Sequence, residues 1–154
     1  VAEEWARGVV SNLAQRPQGN DRAQIKAIFQ GVCDVALVNS YYFARLQQAM
    51  PTLAVAPFWP NQSGRGVHVN VSGAGIARHS KHPKLAAALL EWLSTKAIQQ
   101  EFAAVNFEYP ANPRSQAPEA VQHWGTFKAD NVGVLALGPL QEKAVELLQE
   151  TAYE

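Results

Sequence analysis

The stretch "DVALVNSYYFARL", residues 34–46, sets two adjacent tyrosines directly after a strand-like apolar run. In a strand, neighbouring side chains point to opposite faces, so the two phenols would share no target. In the first turn of a helix they stand about 100° apart and converge on one point beyond the helix end. Ser40 is a candidate cap for such a helix, which runs to about Met50, where Pro51 stops it. The apolar run before it, "VCDVALV", reads as a short buried strand.

The same alternation extends in both directions. Upstream, Trp5, Val9 and Leu13 repeat at four-residue spacing and predict an amphipathic helix over 3–15. "RPQGND" breaks it, with Pro17 and Gly19 as punctuation. Asn20 or Asp21 caps a second helix carrying Ile25, Ile28 and Phe29, and Gly31 ends it. Downstream, "TLAVAPFW" reads as a second strand, "PNQSGRG" as a loop and "VHVNVSG" as a third strand. Gly73 and Gly75 then permit a chain reversal. Two helices follow in near continuity, "KHPKLAAALLEWLST" and "KAIQQEFAAVN". "FEYPANPRSQAP" holds three prolines and is an extended connector. A short helix is expected over 118–128. "VGVLALG" fits strand and loop alike, and a last amphipathic helix opens at Pro139. Helices alternating with short apolar strands predict an α/β architecture.

Bulk properties narrow the function. The 154 residues suit one domain of ordinary size, with 47% apolar and 17% charged residues. Thirteen basic residues balance thirteen acidic ones, which argues against a nucleic-acid partner or a polybasic membrane surface. The single cysteine, Cys33, reads as a small buried hydrophobe. No apolar stretch approaches a membrane span. The chain opens in helical periodicity without an initiator methionine, as a piece of something longer does.

Most motif chemistry is absent: there is no P-loop pattern, HExxH, CxxC or GxSxG. His79 and His82 are three apart, but "RHSKHPK" places them on a solvated helix start. What remains is Tyr41 and Tyr42. A pair of phenols more often packs and covers surface than binds anything. Their position changes that balance, because ligands of open α/β sheets bind beyond strand ends at helix N-termini. A phenol is neutral at pH 7, and both a helix dipole and a strongly acidic metal favour its anion. Hard, highly charged cations prefer anionic oxygen. The pair therefore fits ferric iron and fits zinc or copper poorly, and Asn39 offers an amide to an anion in the same place. A receptor for a different anion or organic solute is the alternative. An enzyme is not expected, since no lysine, histidine or carboxylate lies near the pair on a matching face.

"GVCDVALVNSYYFARL" resembles the tyrosine-pair segment of periplasmic ferric iron-binding proteins, the solute receptors of bacterial iron(III) ABC transporters. The likeness continues in order through "HVNVSGAG", "SKHPKLAAALLEWL" and "NFEYP", and covers essentially the whole chain. The resemblance implies a two-lobed, hinged periplasmic binding protein-like fold of class II type that closes on Fe(3+), of which this chain is the C-terminal half. It makes Tyr41 and Tyr42 the iron ligands and places Asn39 against a synergistic anion such as carbonate or phosphate. Asn20 or Asp21 lies near a second anion position, with Asn20 the candidate. It implies a periplasmic location, soluble or tethered to the inner membrane, and an ABC transporter permease as partner. Residues 1–74 would form a second-lobe segment, 75–109 a hinge-crossing helical segment of the first lobe, and 110–154 the return. The family chain is about twice this length. Its other iron ligands, and the N-terminal lobe carrying them, are missing here.

Overall fold

The computed structural model describes residues 1–16 and 18–153. The breaking role expected of Pro17, and Glu154 at the end of the last helix, lie outside the described residues. The chain forms two compact units: Val1–Val38 with Asp130–Glu154, and Asn39–Ala129.

The first unit holds α1 (Ala2–Ser11), α2 (Asp21–Phe29) and α7 (Gln141–Glu150). α1 ends at Ser11, four residues short of the expectation, because Asn12 turns its amide Nδ2 back onto the Gly8 carbonyl at 2.8 Å. Its fully buried residue is Ala6, while Trp5 is exposed. α2 begins as expected. The Asn20 side chain accepts a hydrogen bond from the Ala23 N–H at 3.2 Å, satisfying one donor that the first turn leaves unpaired. It ends at Gly31, whose φ of +73° lets Val32 N–H reach the Ala27 carbonyl and Gly31 N–H reach the Ile28 carbonyl, both at 2.9 Å. That is the paired closure of a Schellman turn. Ile25 is the buried anchor of the helix. "VGVLALG" resolves into neither strand nor plain loop. Two short 3₁₀ turns, Val134–Ala136 and Gly138–Leu140, lead into α7, so Pro139 lies in the turn before the helix.

The second unit holds α3 (Ser40–Ala49), α4 (Pro83–Leu93), α5 (Lys96–Asn106) and the single turn α6 (Glu119–Gln122). Pro83 occupies the first position of α4, where a missing N–H costs nothing. The proline-rich connector, expected to be extended, turns at Asn112–Ser115, where the Ser115 N–H reaches the Asn112 carbonyl at 2.9 Å, and it is tied down. Asn112 Nδ2 donates to the Ser94 carbonyl, Ala111 N–H to Gln99 Oε1, and Ser115 Oγ to the Lys96 carbonyl. These bonds fasten it to the corner between α4 and α5.

The three expected strands do not pair into ladders. Among the described residues the sole β contact is an isolated parallel bridge between Val67 and Ala129. Residues 32–38, expected to form a buried strand, form none, and Val35 and Leu37 are exposed. Phe58, Val69 and Val71 are exposed too. The cause is physical: a strand is stabilised by a neighbour that takes its N–H and C=O groups, and no described segment lies alongside in register.

Candidate metal centre

The site is built from the first turn of α3. Asn39 is extended and is the N-cap residue through its backbone, with no capping bond from its side chain. Ser40 is the first helical residue rather than the cap. This shift by one puts Tyr41 and Tyr42 at the second and third helical positions, where the Tyr42 N–H donates to the Asn39 carbonyl at 3.1 Å. The two rings lean together with centroids 4.4 Å apart and planes tilted by 42°. Both rings are half-buried.

The far face of α3 is held by burial. Phe43, Ala44 and Leu46 are buried. The Phe43 ring packs 5.4 Å from Trp124, which lies 6.4 Å from Trp59. Trp59 in turn contacts Phe127 at 4.7 Å, and Phe127 meets Tyr109 edge-on at 5.2 Å. Trp59 Nε1 donates to the Trp124 carbonyl at 3.3 Å, locking two distant segments together. Trp124 Nε1 itself is buried without a hydrogen-bond partner. Burial raises the Tyr109 hydroxyl pKa above its ordinary value of 10.0. No local pattern announced this cluster, because its members come from four separate segments.

Arg45 follows Tyr41 by one turn, and its Cζ lies 5.8 Å from the Tyr41 ring centroid. Its Nη2 donates to Asn106 Oδ1, at the end of α5, at 3.4 Å. Asn20 belongs to the first unit, where its Oδ1 caps α2. The structure thus brings together Asn39, Tyr41 and Tyr42 on one helix start. His82 is the backbone N-cap of α4, and His79 lies exposed just before it. Among the described residues no three of His, Cys, Asp and Glu gather as a metal site, so the donors on offer are phenolic. Two phenolates supply anionic oxygen to a hard cation and leave most of its coordination sphere for other donors.

The family model for the bacterial extracellular solute-binding protein matches residues 8–129, and the chain belongs to that family. Among curated relatives, iron uptake protein A1 of Synechocystis sp. is 38% identical over 97% of this chain and 43% of its own length. The major ferric iron-binding protein of Neisseria meningitidis serogroup B is 25% identical over 100% of this chain and 46% of its own. Among solved structures, Trichodesmium IdiA (FutA) in complex with iron and citrate superposes with a TM-score of 0.94 at 38% identity. That superposition covers 99% of this chain and 50% of the Trichodesmium protein. The chain spans about half the length of the relatives it matches. Its fold is accordingly part of a two-lobed, type II periplasmic binding protein. None of these relatives bears an enzyme's name.

Proposed function

We propose that this chain supplies Tyr41 and Tyr42 as phenolate ligands to ferric iron, within a receptor that captures the ion and delivers it to an ABC importer. The observation carrying the reading is the 4.4 Å pairing of the two rings in the first turn of α3. There the helix dipole favours negative charge, and a ferric ion would complete the ionisation. The iron-uptake names of the relatives support the same cargo. Asn39, beside the pair, contacts a synergistic anion such as carbonate or phosphate in this reading. The receptor works in the periplasm, soluble or tethered to the inner membrane. Residues 1–74 and 110–154 serve its second lobe, and residues 75–109 cross to the first.

Ferric nitrilotriacetate tests the ligand assignment, since the chelate brings donors of its own and leaves positions open for phenolates. Addition to the 154-residue chain is expected to produce an orange-to-red phenolate-to-iron charge-transfer band. Tyr41→Phe and Tyr42→Phe each keep the ring and remove the anionic donor, so each should weaken the band strongly and leave the circular dichroism spectrum unchanged. A band that survived both substitutions together would refute the assignment. Binding of carbonate or an organic acid without any band would point to the alternative receptor, in which the phenols only hydrogen-bond or stack.

A further inference from the structure

We draw no further inference here: the strongest candidate, the exposed apolar stripe of Leu85, Leu89 and Trp92 along α4, is an unpartnered helix face, and nothing in the structure shows what covers it.

Discussion

The ring of Phe43 packs against that of Trp124 at 5.4 Å, so the helix carrying the tyrosine pair is fixed from beneath by a residue more than eighty positions away. Phe43 is only 4% exposed. Phe43→Ala should therefore lower stability by about 3 kcal/mol, combining lost apolar burial with the cavity left behind. Trp124→Phe should cost much less. It surrenders ring area but also removes an indole N–H that is buried without a partner, a group whose burial is itself unfavourable. Urea denaturation of the two variants would measure the contrast. Equal destabilisation would mean that the orphan N–H finds an acceptor.

A second prediction concerns the loop that reaches back to Lys128. The Gln62 side chain brackets the Lys128 backbone, its Oε1 accepting from Lys128 N–H at 2.6 Å and its Nε2 donating to the Lys128 carbonyl at 3.2 Å. Val67 N–H also donates to that carbonyl. Gly66, between them, has φ +99°, and a Cβ there would stand 2.6 Å from the Lys128 carbonyl oxygen and 2.7 Å from the Ala129 carbonyl. Both the dihedral and the contact oppose a side chain. Gly66→Ala should lose about 2 kcal/mol or more. Gly73→Ala is the control, since its Cβ would meet nothing within 4 Å, and its thermal midpoint should match the parent's.

The alkaline limb of stability should respond to Tyr109. Burial raises its pKa above 10.0, so the folded state holds the proton longer than the unfolded chain. Its neutral form is thus fully stabilising below about pH 10, and that contribution is lost as pH rises from there through the folded-state pKa. Tyr109→Phe cannot ionise and should flatten this fall. Denaturation midpoints from pH 8 to pH 11 for parent and variant would show it; parallel curves would place the alkaline sensitivity elsewhere.

The parts of this molecule that were legible in sequence are those decided within a few residues. The Asn20 cap and the Gly31 stop depend on local backbone chemistry, and both stand where expected. Helix ends written by weaker signals moved, as at Ser11, and the cap of α3 is Asn39 rather than Ser40. The strands failed for a different reason. Alternation in "VHVNVSG" describes a surface that a ladder would bury, but a ladder is a property of two segments. The site divides in the same way. Tyr41 and Tyr42 were visible because they adjoin. The Trp59, Trp124, Phe127 and Tyr109 cluster and the Arg45–Asn106 tie are products of folding at long range.

The last prediction concerns association. On α4, Leu85, Leu89 and Trp92 recur at one face of the helix and remain 69%, 53% and 53% exposed. Leu93 is half-buried, and its carbonyl accepts from Gln99 Nε2. α5 adds Phe102 and Val105, both exposed. No residue of α4 is buried, so a strongly apolar helix draws little stability from its surroundings. Monomeric chains rarely leave such a stripe in water, and one left there promotes contact with another apolar surface. The 154-residue chain should therefore self-associate at micromolar concentration, raising its scattering mass above that of a 16.8 kDa monomer. Leu85→Glu with Leu89→Glu should return it to monomer, since two carboxylates on adjacent turns resist burial. Iron should report separately. Two phenolates alone do not fill a ferric ion's coordination sphere, and tight capture in a two-lobed receptor comes from closure of one lobe on the other. The chain should thus surrender ferric iron to citrate. A parent chain that stayed monomeric and kept its iron against citrate would show that the stripe is tolerated in water and that these residues complete the site by themselves.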